Sequence, residues 1–335
     1  MIMIKILNFF RIIWKKIEGR ILYYYHRFLY NFHTPIAYLE VLKLSAKKGH
    51  NEVLVIMPQL IGDVCYAMAY MRAFVEKNNK EGKIVRLLLN EKRKDLIYLY
   101  NYQYDVVWLK NKSQGLNRLQ WILQRPFCIK FARENGIYST VPFFFVKING
   151  KVKRDGLDIL RNDLLGLPGM PTIDFPNVPV IPISSIPNFD NEKNRIVIIN
   201  PYSNSVRGFD LSVFEKIAEN LKRRGYYVFT NVITGQQPIV GTAALNCSIN
   251  ELYNICKQIP LFVSVRSGIV DFCISSDVNL FILHFNKNKM LLHDFYKVCQ
   301  LSAWGKMNAT EYFYDNDEHI LNVFDDYMNK INTRL

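Results

Sequence analysis

The stretch Glu52-Val-Leu-Val-Ile-Met-Pro-Gln-Leu-Ile-Gly-Asp-Val64 decides how this chain folds. Val53 to Met57 is an unbroken apolar run of strand length, the pattern of a strand buried on both faces in a parallel sheet. Pro58–Asp63 then turns the chain into a helix predicted from about Val64 to Lys77, with Ala67, Met68, Met71, Phe74 and Val75 on its buried side. Ile84–Leu89 and Asp105–Leu109 read as further strands, which gives the strand–helix–strand rhythm of a parallel sheet. From 116 to 150 the period is unclear. Thr140-Val-Pro-Phe-Phe-Phe-Val146 reads as a strand only with Pro142 at its start or edge.

Six prolines between Leu167 and Lys193 (Pro168, Pro171, Pro176, Pro179, Pro182, Pro187) leave little room for regular structure, so 167–193 reads as a linker. A second alternating pattern follows it. Strands are predicted at Arg195–Asn200, Tyr226–Thr230, Leu261–Ser264 and Val278–Leu283. Between them lie helices at Leu211–Arg224, ended by Gly225, at Asn250–Gln258 and at Ser267–Ser276. A last helix runs from the acidic segment 315–318 to about Ile331. The expected organisation is α/β: a leader over 1–50, a domain over 51–166, the linker, and a second domain over 194–335. Two Rossmann-like sheets of this kind face each other across a central cleft, and ligands bind outside the carboxyl ends of the strands.

Composition narrows the class of partner. The 335 residues carry a net charge of +14, with half of them hydrophobic and 14% aromatic, which excludes a disordered or collagen-like chain. The basic charge is uneven, since residues 1–50 hold nine Lys or Arg against two acids. There Ile6, Phe10, Ile13, Trp14, Ile17 and Ile21 share one helical face, opposite Lys5, Arg11, Lys15 and Lys16. No apolar run there is long enough to span a bilayer, and no signal-peptide pattern is present. The remaining readings are a helix lying on an anionic membrane surface through residues 1–30, or a helix packed on the protein's own core. Nucleic acid is not expected, because zinc-finger spacing and RNP-like aromatic strands are missing. The six cysteines form no C-x-x-C pair and read as reduced thiols of a cytoplasmic protein. Serine-esterase, P-loop and zinc-hydrolase motifs are also absent.

Three segments carry candidate chemistry. Gly62 and Asp63 stand where the first strand gives way to its helix, Gly62 permitting a tight turn. Asp63 reads either as a helix cap or as a general base. In Val263-Ser-Val-Arg-Ser-Gly-Ile-Val-Asp271, amides from Ser267 through Gly268 to Ile269 can receive an anion, and Arg266 can add bidentate contacts to a phosphate. An ordinary turn with Arg266 in a salt bridge fits the same residues. In Asn200-Pro-Tyr-Ser-Asn-Ser-Val-Arg207, Ser203 and Asn204 supply polar groups and Arg207 a fixed charge. Asp315-Asn-Asp317 raises the idea of a metal site, yet its place just before a helix suits acidic caps better.

These segments, in this order, resemble family 9 glycosyltransferases, the heptosyltransferase-like enzymes of GT-B fold. The likeness covers residues 52–77 and 195–285. It implies an inverting, metal-independent transfer from a nucleoside-diphosphate sugar, with no further cofactor. Asp63 matches the family's catalytic base, and Arg207 falls at its phosphate-contacting lysine. Gly62, Ser203, Asn204, Arg266, Ser267, Gly268 and Asp271 fall in the donor-binding segments. Arg266 stands where the family has an acid, Asp271 where it has a histidine, and Phe209 where a tryptophan is common. The expected acceptor is a cell-surface glycan such as lipopolysaccharide or capsule, and a lipid-linked one at the inner face of the cytoplasmic membrane would explain the basic aromatic leader. A non-catalytic glycan- or nucleotide-binding scaffold of the same fold is the alternative.

Overall fold

The computed structural model describes residues 38–57, 61–109, 126–140, 145–148, 151–155, 165–167, 173–203, 210–273, 276–285 and 308–332, with Pro35 and Leu301. The first half contains helix α1 (38–47), strand β1 (Glu52–Ile56), α2 (Ile61–Lys80), β2 (Ile84–Asn90), α3 (Lys94–Tyr98), β3 (Asp105–Leu109), α4 (Pro126–Glu134), β4 (Ile137–Ser139) and a hairpin of β5 (Phe145–Ile148) with β6 (Lys151–Asp155). After the linker come α5 (Phe189–Glu192), β7 (Ile196–Asn200), α6 (Ser212–Arg223), β8 (Tyr227–Asn231), β9 (Ala243–Leu245) and α7 (Ile249–Cys256). The chain continues through β10 (Leu261–Val265), α8 (Gly268–Phe272), β11 (Asn279–His284), β12 (Ala309–Phe313) and α9 (Asp317–Asn332).

Both larger sheets are wholly parallel, as the unbroken apolar strands require. The first has the order β3-β2-β1-β4 and the second β12-β11-β10-β7-β8-β9. Val53, Val55, Leu87 and Leu89 face α2, while Leu54, Ile56 and Ile137 face α1 and α4. In the second sheet Ile198, Phe262 and Leu280 face α7 and α8, while Val197, Val263 and Phe281 face α6 and α9. Phe281 sits 5.0 Å from the Phe324 ring and 5.2 Å from that of Tyr327. Edge-on and tilted ring pairs at such separations add to the apolar burial of this outer layer.

One core runs through both halves, because the helices of the inner layer pack on each other as well as on their own sheets. The linker is stitched to both sides. Asp174 N donates to Ala69 O on α2 (2.7 Å) and Asn177 N to Leu99 O (2.8 Å). Across the other half, Tyr253 Oη donates to Pro176 O (2.6 Å) and Lys257 Nζ to Val178 O (2.9 Å). Glu251 Oε1 accepts from the amides of Ser184 (3.1 Å) and Ser185 (2.9 Å). These bonds satisfy the polar backbone of a proline-rich segment that has no ladder of its own.

Four sequence expectations change. The helix after β1 begins at Ile61 rather than Val64, so Gly62 and Asp63 lie in its first turn. Instead of one strand over 140–146, β4 ends at Ser139 and β5 starts at Phe145; Gly136, at φ +68°, turns the chain from α4 into β4. The helix expected over 267–276 is only α8. Residues 38–47, grouped with the leader in the sequence reading, form a helix on the first sheet. The expected amphipathic helix of the leader itself lies outside the described residues.

Candidate active site

Strand order locates the site. In the first sheet, successive strands leave β1 in opposite directions, and in the second they diverge from the β7–β10 pair. These are topological switch points, where flanking loops separate and leave a crevice beyond the strand ends. The connection after β1 carries Gly62 and Asp63, that after β7 carries Ser203, and that after β10 carries Arg266 to Asp271. Thus all three segments singled out by sequence sit at carboxyl ends of switch-point strands. Asn204 and Arg207 lie outside the described residues.

The starts of α2 and α8 meet. A side chain on Gly62 would come within 2.6 Å of Asp271 Oδ2 and 3.0 Å of Gly268 Cα, and one on Gly268 would run into the Gly62 amide nitrogen. Gly62 therefore serves close backbone approach rather than the tight turn expected of it. Gly268→Ala is expected to destabilise the protein by about 1–3 kcal/mol, since the new methyl meets backbone that cannot rotate away. Urea unfolding reads this directly, and an unchanged midpoint would count against the contact.

Two carboxylates gather at this junction. Asp63 is partly buried in the first turn of α2. Burial, reinforced by the nearby charge of Asp271, raises its pKa from 3.8 to about 7. Asp271 is buried, and its Oδ1 accepts from Arg266 Nη2 at 2.6 Å. Burial pushes the Asp271 carboxyl upward against the pull of the guanidinium.

Arg266 also donates from Nη1 to Ser267 O (3.0 Å) and from Nη2 to Tyr66 Oη on α2 (3.3 Å). It thereby joins the two halves, and its charge is balanced locally by Asp271. Behind the β10 turn, buried Asn200 donates to Ser264 Oγ (2.8 Å) and Ser267 Oγ (3.3 Å) and accepts from Asn231 Nδ2 (2.8 Å). This network ties the ends of β7, β8 and β10 together and fixes where Ser267 and Gly268 sit. Next to β10, His284 Nε2 lies 2.9 Å from Glu311 Oε2, and Glu311 Oε1 accepts from Leu301 N (2.6 Å). Burial lowers the His284 pKa despite this partner.

Sequence reasoning missed Tyr66, placed by the packing of α2 against the β10 turn, and Asn231, His284 and Glu311, whose places follow from strand pairing rather than local motif. Asn200 and Ser264 lay within the quoted segments without an assigned role. The Asp315–Asp317 segment is engaged in helix packing. Asp317 Oδ2 accepts from Lys216 Nζ (2.7 Å) and Ser212 Oγ (3.0 Å), while Asn316 Oδ1 caps the last helix through His319 N (2.9 Å). Among the described residues no cluster of His, Cys, Asp and Glu is placed to hold a metal ion, and no helix is long and apolar enough to cross a membrane.

Two parallel sheets with facing switch points are the GT-B architecture of glycosyltransferases, and comparison with solved structures shows this fold. The chain is similar to a family 9 glycosyl transferase from Veillonella parvula DSM 2008, at a TM-score of 0.51 and 16% identity over 82% of this chain and 89% of that one. It is also similar to the E. coli heptosyltransferase WaaC with ADP, at a TM-score of 0.51 and 10% identity over 84% of this chain and 99% of the other. No family model matches the sequence, and no curated protein is similar to it at the sequence level.

Proposed function

We propose that the protein is a family 9-like glycosyltransferase that moves a sugar from a nucleoside-diphosphate donor to a hydroxyl of a cell-surface glycan, with inversion and without a metal. The observation that carries this reading is Asp63, a carboxylate with a pKa near neutrality, at one switch point and directly across from the other. A base poised near the working pH combines a useful fraction of the ionised form with real proton affinity. Asp63 accepts the proton of the acceptor hydroxyl as that oxygen attacks the anomeric carbon. The bond to the diphosphate breaks on the opposite face, which inverts the centre. Negative charge building on the leaving diphosphate is met by the Ser267–Ile269 amides and by Arg207. Arg266, already balanced by Asp271, contributes by holding the turn and Tyr66 in place.

A panel of nucleotides tested by thermal denaturation checks the donor half of this reading. A ligand at 100 times its dissociation constant adds about 2.7 kcal/mol, enough to raise the midpoint by several degrees. Nucleoside diphosphates are expected to stabilise more than the matching nucleosides, with no change on adding a chelator. A panel without any stabilising nucleotide would remove the proposal.

The basic aromatic leader supports placing the enzyme on the cytoplasmic face of an anionic membrane, where a lipid-linked acceptor shares its surface. One observation favours a second reading, a non-catalytic binding protein: the guanidinium nearest the turn is neutralised by Asp271. Substituting Asp63 separates the two, because a catalyst loses turnover and a binding protein does not.

A further inference from the structure

Helix α1 has two faces of different character. Val41 is buried against Leu54 and Ile56, and Tyr38 lies over Phe131 with ring centroids 4.6 Å apart. On the opposite side Leu39 is 56% exposed and Leu42 47%, with Ala46 one turn further along the same stripe. Exposed Lys43 and Lys47 run along one edge of that stripe. Lys43 lies 3.0 Å from Glu40, a pair so exposed that it contributes little stability. An apolar stripe edged by lysines, on a helix already anchored by its other face, is the pattern of a helix that meets a lipid surface.

Chain direction places this face. Residues 48–51 reverse the chain between α1 and β1, with Lys48 N bonded to Leu44 O and Glu52 N to Gly49 O. The helix therefore runs antiparallel to the strand on which it packs. Ten helical residues rise ~15 Å and five strand residues ~17 Å, so α1 starts level with the end of β1. That is the end of the sheet where α2 carries Asp63. The basic aromatic leader joins α1 at this same end.

We infer that the outward face of α1 docks on an anionic bilayer through Leu39, Leu42 and Lys47, with the first sheet lying between the bilayer and α2. The inference rests on the membrane reading above and adds the face that makes contact. The positive leader supplies the long-range attraction to anionic headgroups, and the two leucines supply apolar insertion.

The test is co-sedimentation of the full chain with vesicles of phosphatidylcholine alone and with about a third phosphatidylglycerol. Wild type is expected on the anionic vesicles and to be released by salt. The Leu39→Ser/Leu42→Ser double variant is expected to bind at least tenfold more weakly with an unchanged melting temperature, because both side chains are exposed. Lys15→Glu/Lys16→Glu in the leader is expected to weaken binding as well. If the leucine variant binds like wild type while the leader variant is lost, the α1 inference fails and the membrane reading stands. If wild type binds neither vesicle, both fall. If the leucine variant instead turns a dimer into a monomer without vesicles, the face joins two copies and the inference fails.

Discussion

Asp63→Asn is expected to lower turnover by about 10²–10⁴-fold while leaving nucleotide affinity unchanged, because it removes a proton acceptor without changing the donor side. In wild type, kcat/KM is expected to rise with pH through about 7, following ionisation of this carboxyl. The variant loses that limb. Stability should move the other way. A carboxyl whose pKa is raised by folding leaves stability intact at low pH and withdraws it as pH climbs from about 4 through 7. With ~1.4 kcal/mol for each pKa unit, the burden on wild type at pH 8 reaches up to about 4 kcal/mol. Asp63→Asn lacks this burden, so its advantage over wild type in urea unfolding should grow between pH 5 and pH 8. A variant that keeps full biological activity would identify a binding scaffold instead. One with no pH-dependent gain would show that Asp63 is not desolvated.

Arg266→Leu is expected to have the largest effect on stability. The Arg266 and Asp271 side chains are only 11% and 3% exposed and meet at 2.6 Å. Deleting one partner of such a pair strands the other, typically at 3–5 kcal/mol. The loss has a direction in pH. Without the guanidinium the Asp271 carboxyl moves further upward, so destabilisation is greatest at high pH and eases as acid protonates the carboxyl. Arg266→Leu/Asp271→Asn should recover much of the loss, since no buried charge is left unpaired. Urea midpoints of the three proteins at pH 5 and pH 8 test this. Equal destabilisation at both pH values would argue against a buried, uncompensated Asp271. The same pair also places a negative charge beside Asp63, so the double variant should lower the pH of the acid limb.

How far the site was readable depended on whether its parts are local. Asp63 and the Arg266–Asp271 segment were found because strand, polar turn and helix are neighbours in sequence, and each forms its turn independently of the rest. Gly62 was found for the wrong reason. A glycine at a strand-to-helix junction suggests a tight turn, but here its hydrogen is required by Gly268, 206 positions later. Asn231 and His284 gave no local signal. Their side chains matter because strand pairing brings the ends of β7, β8, β10 and β11 side by side. Strand β12 was not seen, since Ala309-Thr-Glu-Tyr-Phe313 carries a glutamate at its centre, whose burial is made tolerable by partners such as His284 and Leu301 that are distant in sequence.

The sequence by itself determined the local conformations and their alternation. Apolar runs of strand length, helical periodicity and glycine or proline breaks act over a few residues, and they were enough for two parallel sheets and for the turns that carry the candidate groups. Only the tertiary structure decided which turns meet. Contact between the starts of α2 and α8 closes a separation of some two hundred residues, and it sets the charge environment that lifts Asp63 and pairs Arg266 with Asp271. Burial and Coulomb interaction depend on distance in space, which no local pattern encodes.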